Sequence, residues 1–403
     1  MRDAGRCATR ALKLCLTSDC TRAECKGDDA VTDPGAPESK IVALDCFPIK
    51  LPLKKPMKLA GSLVHDASIL YLRLRSASGV EGWGEAIADP GNAGETVRGM
   101  QAMIEARLKP LVIGQSAFDR ISIVRAMAAS VFANGGAIGA IDMALLDLVG
   151  KLKGIAAVDV LGGAYRTSVK TLSIVGGYDQ ASVLKDVAEL LDAGVDCFKL
   201  KVGSGLVRDD VAMVKAVRGA IGDDRFLCVD ANMAWDIPAA LQFACGAADY
   251  GLAYLEQPIA ADNYRMALLA AQTPVPISAD ESIHGLNDVT ALRDLKAVAG
   301  MSLKSIKLGG PTELTRVATI CDGFGLSVGV AMMMETSLST AAMIHTSCAL
   351  PQIDWLLNVG VAFLAEDPIG PGGPSMLGTV TCPQGPGLGI TVDEGELQRF
   401  MLR

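Results

Sequence analysis

Five charged residues recur at near-constant intervals in the second half of this chain. Lys201, Asp230, Glu256, Asp280 and Lys304 are separated by 29, 26, 24 and 24 residues. The first four each close a short apolar run, such as Cys197-Phe198-Lys199-Leu200-Lys201 or Phe226-Leu227-Cys228-Val229-Asp230. Asp230, Glu256 and Asp280, brought together, would repel one another unless a divalent cation neutralised them. Hard oxygen ligands with positions left for water and substrate select Mg²⁺, with Mn²⁺ tolerated. A lysine accepts protons usefully only where burial or a neighbouring positive charge lowers its pKa, and the cation and Lys199 would supply such a field to Lys201 and Lys304. A substrate carboxylate held at the metal would become more acidic at its α-carbon, because enolate charge develops against the cation. Lysines on opposite faces could then remove a proton from one side and return it to the other.

Only a regular scaffold repeats such a register. A buried parallel strand reads as a short apolar run, and a strand with its return helix needs roughly 25 to 30 residues. Charges at the ends of such strands describe a (β/α) barrel, in which catalysis sits at the C-terminal ends of the strands. The pattern predicts strands starting near Val169, Cys197, Phe226, Leu252, Pro276, Ser302, Ser327 and Trp355, with a degraded eighth unit. Upstream, two alternating runs (Ile41–Phe47 and Ala67–Leu74) flank a loop marked by Pro52, Pro56 and Gly61. A third short strand lies at Gly79–Glu85, and helical periodicity follows over Gly94–Leu111, Ala117–Ala128 and Gly136–Lys153. The expected fold class is α/β, a modified (β/α)7β barrel with an α+β N-terminal capping domain. Its expected divisions are a disordered extension (1–39), the capping domain (40–165), the barrel (166–360) and a segment returning to the cap (361–403).

Composition narrows the function classes. The 403 residues are 50% hydrophobic and 20% charged, the profile of a soluble α/β enzyme. A net charge of -8 without a basic cluster argues against a nucleic-acid partner. No uninterrupted apolar run reaches membrane-spanning length, and Ala11–Leu16 is too short for a signal-peptide core, so a cytoplasmic location is expected. Four of the eleven cysteines fall in the first forty residues without a CxxC pair, and most of the others, such as Cys197 and Cys228, read as small buried hydrophobes.

The ordered motifs Lys199-Leu200-Lys201, Asp230-Ala231-Asn232, Glu256-Gln257-Pro258, Ala279-Asp280-Glu281-Ser282 and Leu303-Lys304-Ser305-Ile306-Lys307-Leu308-Gly309-Gly310 resemble those of the enolase superfamily, muconate lactonizing enzyme subgroup. Gly82-Trp83-Gly84-Glu85-Ala86 resembles that family's capping-domain strand. The pairing of a Lys or His base with Mg²⁺ is a known superfamily pattern. The resemblance implies metal ligation by Asp230, Glu256 and Asp280, acid/base roles for Lys201 and Lys304, and a supporting role for Lys199. The implied reaction is Mg-dependent α-proton abstraction from a small carboxylate, giving racemisation, epimerisation or cycloisomerisation. A dehydratase using the same enolate is the alternative, and a homo-oligomer is expected.

Specificity is expected from capping loops at Pro52–Asp66 and Asp89–Glu95 and from loops near the seventh and eighth strands. Asn232, Glu335 and His65 are the candidate substrate contacts. Lys307 reads as a salt-bridge partner, His284 as a helix start and His345 as structural. Leu357-Asn358-Val359 stands where dipeptide epimerases of the subgroup carry Asp-x-Asp, which argues against that activity, and it also departs from the Thr-Glu expected of muconate cycloisomerases.

Overall fold

A computed structural model describes residues 37–59, 62–176, 179–369, 373 and 377–402. The predicted extension, residues 1–39, falls outside them except for Pro37–Ser39, a 3-10 turn whose Ser39 hydroxyl meets that of Ser116 at 2.9 Å.

Three antiparallel strands open the chain: β1 (Ile41–Leu59), β2 (Ser62–Ser76) and β3 (Glu81–Ile87). The loop predicted around Pro52 and Pro56 is instead a continuation of the β1–β2 hairpin. Pro52 pairs with Asp66 and Met57 with Val64, so four residues of β1 bulge opposite His65 alone. The bulge accommodates Pro56, which has no N–H to give a ladder. Against this sheet lies the helix Gly135–Lys153, and glycine is required at the crossing. A Cβ on Gly82 would sit 2.3 Å from the Ala144 carbonyl oxygen, and one on Gly84 2.1 Å from that of Ala140.

Eight parallel strands then close a barrel: β4 (Ser168–Val175), β5 (Cys197–Lys201), β6 (Phe226–Asp230), β7 (Leu255–Glu256), β8 (Ile277–Ala279), β9 (Gly300–Leu303), β10 (Ser327–Val330) and β11 (Leu357–Asn358), with β11 pairing back onto β4. The connecting helices start where their sequences cap them. Asp179 accepts the Ser182 N–H at 2.8 Å to open Gln180–Asp192, and Asp236 accepts the Ala239 N–H at 2.9 Å to open Ile237–Ala247. Apolar faces such as Val183 and Val187 turn toward the strands. The short β11 carries the degraded eighth unit. After it, β12 (Thr379–Thr381) adds antiparallel to β4, and the chain reaches the capping sheet, where Met401 bridges Ile49. Among the described residues, no helix is long and apolar enough to cross a membrane.

Candidate active site

Strand register brings the charges together. Lys201 pairs with Asp230 across β5–β6, and Asp230 with Glu256 across β6–β7. Asp280 follows β8 directly and Lys304 follows β9 directly. All five therefore stand at the C-terminal end of the barrel. Asp230, Glu256, Asp280, Lys199 and Lys304 are each at most 5% exposed. Buried charges persist only when paired, and these are. Lys199 Nζ lies 2.6 Å from Glu256 Oε1 and 3.6 Å from Asp230 Oδ2. Lys201 Nζ lies 2.6 Å from both Asp230 Oδ2 and Asn232 Oδ1. Lys304 Nζ and Lys307 Nζ take the two oxygens of Asp280, at 2.6 and 2.7 Å.

The electrostatics follow. Burial pushes Glu256 up to about 7, with Asp230 and Asp280 adding to the shift and Lys199 opposing it. Burial would also raise Asp280, but Lys304 and Lys307 hold its carboxyl well below the usual range. Asp230 is lowered in the same way by Lys201 and Lys199, against burial and the charge of Asp280. The three acids thus feel one another as repelling neighbours. Among the described residues, no three His, Cys, Asp or Glu side chains are disposed to share a metal ion as they stand, because each acid is turned to a lysine.

Asn232 joins this cluster through Lys201, with its backbone in the left-handed region at φ +42°. Glu335 is buried after β10, and burial pushes it up to about 7 against hydrogen bonds from backbone N–H groups and, less strongly, the charge of Lys304. His65 stands exposed on β2, outside the described hydrogen bonds of the cluster. His345 is buried in the helix Ser337–Ala349, accepting the Val158 N–H at 3.2 Å, a structural position as expected. The ring Nε2 of His284 meets the Asn92 carbonyl at 2.9 Å, tying the 89–95 loop to the barrel end.

Sequence reasoning missed three supports. Ser302 donates to Glu256 Oε2 at 2.7 Å. Gln257, at φ +34°, accepts the N–H groups of Asp280 and Ser282 at 3.0 and 3.1 Å and so fixes the turn after β8. Glu85 reaches across from β3 to accept the Thr336 and Ser339 N–H groups, each at 2.9 Å, at the start of the helix that follows Glu335. Only Gln257, directly beside Glu256, carried a positional signal.

With this geometry in place, comparison with known proteins decides the family. Residues 182–396 match the enolase C-terminal domain-like model, and residues 42–162 match the mandelate racemase/muconate lactonizing enzyme N-terminal domain. The chain belongs to the mandelate racemase/muconate lactonizing enzyme family of the enolase superfamily. Within this family it is 31% identical to muconate cycloisomerase 1 of Pseudomonas putida over 360 residues, covering 87% of this chain and 95% of that protein. It is 26% identical to an N-succinyl-L-Arg/Lys racemase of Bacillus cereus, covering 90% of this chain and 98% of that one. The structure of a Pseudomonas fluorescens muconate lactonizing enzyme complexed with muconolactone superposes with a TM-score of 0.86 at 31% identity, covering 91% of this chain and 100% of that one. Family membership makes the chain an enzyme of the isomerase branch, akin to cycloisomerases and racemases.

Proposed function

We propose that this enzyme works through the enolate of a small carboxylate, with Mg²⁺ (or Mn²⁺) held by Asp230, Glu256 and Asp280. Racemisation removes the α-proton and returns one, whereas cycloisomerisation adds a carboxylate across a double bond and delivers a proton to the α-carbon, or runs in reverse. The observation that carries this reading is the flanked register: three buried acids in a row on β6, β7 and β8, with Lys201 on one side and Lys304 on the other. The donor set fits a hard cation. The acids are oxygen-only and adjacent, and a bound cation relieves the repulsion between neighbouring carboxylates. Bound there, Mg²⁺ would set positive charge against the substrate carboxylate as negative charge develops on it.

The chain's own groups do the rest. In racemisation Lys201, the more accessible of the two, exchanges a proton at one face of the α-carbon and Lys304 at the other. In cycloisomerisation one lysine removes or delivers the proton and the other sets its charge against the intermediate. Lys199, between Glu256 and Asp230, keeps a positive charge beneath the acids. Asn232 and Glu335 border the substrate, with His65 contributing from the hairpin. The hairpin and the 89–95 loop exclude water, which strengthens each of these interactions. The test is incubation in D₂O with Mg²⁺ and cis,cis-muconate, muconolactone, N-succinyl-L-arginine or a set of β-hydroxy carboxylates, read by NMR and mass. Lactone formation or α-deuteration is expected. Elimination of a β-hydroxyl from hydroxy acids, with no exchange elsewhere, would convert the reading to a dehydratase.

A further inference from the structure

Glu281 follows Asp280 directly and is 5% exposed. Its Oε1 accepts from Asn232 Nδ2 at 3.0 Å, while its buried Oε2 meets no hydrogen-bond partner among the described residues. Asn232 turns its own Oδ1 to Lys201 Nζ at 2.6 Å and gives its backbone N–H to Asp230 Oδ1 at 2.9 Å. A side-chain amide has one accepting end and one donating end. A carboxylate on one side therefore decides which end faces the other. With Glu281 taking the NH₂ group, the carbonyl must face the ammonium. The reversed amide would set NH₂ against NH₃⁺ and oxygen against carboxylate, losing both contacts. The left-handed backbone at Asn232, which Asn tolerates better than most residues, aims the side chain between the two partners.

We propose that Glu281 is a positioning residue for one half of the site: it fixes the Asn232 amide, which together with Asp230 fixes the Lys201 ammonium. On the other flank Lys304 is held by Asp280 directly, with no amide between them. Loss of Glu281 therefore weakens the Lys201 face more than the Lys304 face, where Glu281 acts only through its charge. The inference rests on the assignment of Lys201 and Lys304 as bases, and the experiment separates the two.

In D₂O with Mg²⁺, both enantiomers of N-succinylarginine, and muconolactone, are followed for α-proton exchange. Glu281→Leu is expected to slow the Lys201-face exchange by about 30- to 100-fold, the scale of a misplaced catalytic group. The Lys304-face exchange should change less than this, and equally in Glu281→Leu and Glu281→Gln, because both remove the one thing Lys304 feels from Glu281, its charge. Glu281→Gln, whose amide oxygen can still accept from Asn232, should restore the Lys201 face to within about fivefold. Asn232→Leu should reproduce the Glu281→Leu defect, and the double variant should add little to it, as for two residues of one chain of contacts. Equal losses on both faces, absence of rescue by Gln, or additive losses would overturn the proposal. So would a weakening of Mg²⁺ binding by Glu281→Gln in titration calorimetry beyond about tenfold, since that would assign the residue to the metal. Failure of the unsubstituted enzyme to exchange any probe would strike the base assignment instead. Crystal structures then judge the relay alone. In Glu281→Leu, or in Glu281→Ser if Leu is not accommodated, Asn232 should leave Lys201, whereas an unchanged contact would overturn the proposal.

Discussion

The two lysines that flank the acids are the same residue at matching strand ends, yet their surroundings are unequal. The Lys201 side chain is 31% exposed and shared between a carboxylate and an amide, while that of Lys304 is 6% exposed and pressed against Asp280. Burial works against the Lys304 charge, but Asp280 and Glu281 hold the ammonium well above its ordinary pKa. The covers differ as well. The β1–β2 hairpin reaches the Lys201 side, where Lys55 meets Asp186 of the helix after β4 and Lys54 donates to the Ala362 carbonyl after β11. The 89–95 loop reaches the Lys304 side through His284, and Glu85 braces the turn after β10. Chemical symmetry across the acids is thus built from two different supports, and each can be damaged alone.

The largest effect should erase the comparison. Asp230→Asn, Glu256→Gln and Asp280→Asn remove charge that serves both flanks, so exchange should be lost on both faces together, by about 10³-fold or more. EDTA should do the same, with Mg²⁺ restoring activity. Full turnover after exhaustive chelation, measured alongside residual metal content, would rule the metal mechanism out. The next effect should split the flanks. For a racemase, Lys201→Ala and Lys304→Ala should each stop α-exchange of one enantiomer by about 10² to 10⁴-fold, the usual worth of a general base, while racemisation disappears in both. For a cycloisomerase, one lysine governs proton transfer and the other serves as a charge against the intermediate. Intact exchange of both enantiomers in both variants would make the base assignment wrong.

How much of this was legible in sequence depended on range. The barrel and its charged strand ends were readable because a buried parallel strand is an uninterrupted apolar run, and Lys201, Asp230 and Glu256 end theirs in register. The hairpin misled because Pro52, Pro56 and Gly61 are loop-forming residues, and only pairing with β2 shows that a bulge absorbs the break. Glu85 could not be read as a support of the Glu335 turn, because its partners Thr336 and Ser339 lie 251 and 254 residues away. The relay through Glu281 was hidden for the same reason: Asn232 and Glu281 meet only when β6 and β8 stand in one barrel.

Gly176 offers a gentler way to separate the flanks. A Cβ there would lie 2.9 Å from the Lys201 Cβ, so Gly176→Ala must displace Lys201. The Lys201 face should lose about 10²-fold and the Lys304 face little, since ångström-scale misplacement costs that much. Equal rates on both faces in the variant would mean that the chain yields elsewhere.

Glu85 sharpens the comparison through stability. Burial pushes its carboxyl from 4.5 up to about 8, against hydrogen bonds from Thr336 and Ser339. The folded state therefore keeps a proton that the unfolded chain releases between these values, and stability falls as pH rises from about 4.5 to 8, by at most about 1.4 kcal/mol per pH unit from this group. Glu85→Gln removes the titration, so its melting temperature should decline less between pH 5 and 8 than that of the unsubstituted enzyme. Parallel curves would show that Glu85 is ionised throughout.

The smallest effect belongs to the hairpin contacts. Lys55 and Asp186 lie 3.2 Å apart, but their side chains are 78% and 34% exposed. A pair so open to water contributes about 0 to 1 kcal/mol, and salt screens it further. The hairpin also has a second hold, because Leu53 bridges Leu364 through the backbone whatever occupies position 55. Lys55→Ala should therefore lower kcat/KM by no more than about fivefold, through KM more than kcat, since closure contributes to binding before chemistry. The deficit should shrink as salt weakens the same contact in the unsubstituted enzyme. It should also fall on the Lys201 face, because Asp186 belongs to the helix after β4, and β4 is the neighbour of the strand that carries Lys201. A loss above about tenfold, or an equal loss on both faces, would show that this one exposed lysine governs closure of the whole mouth.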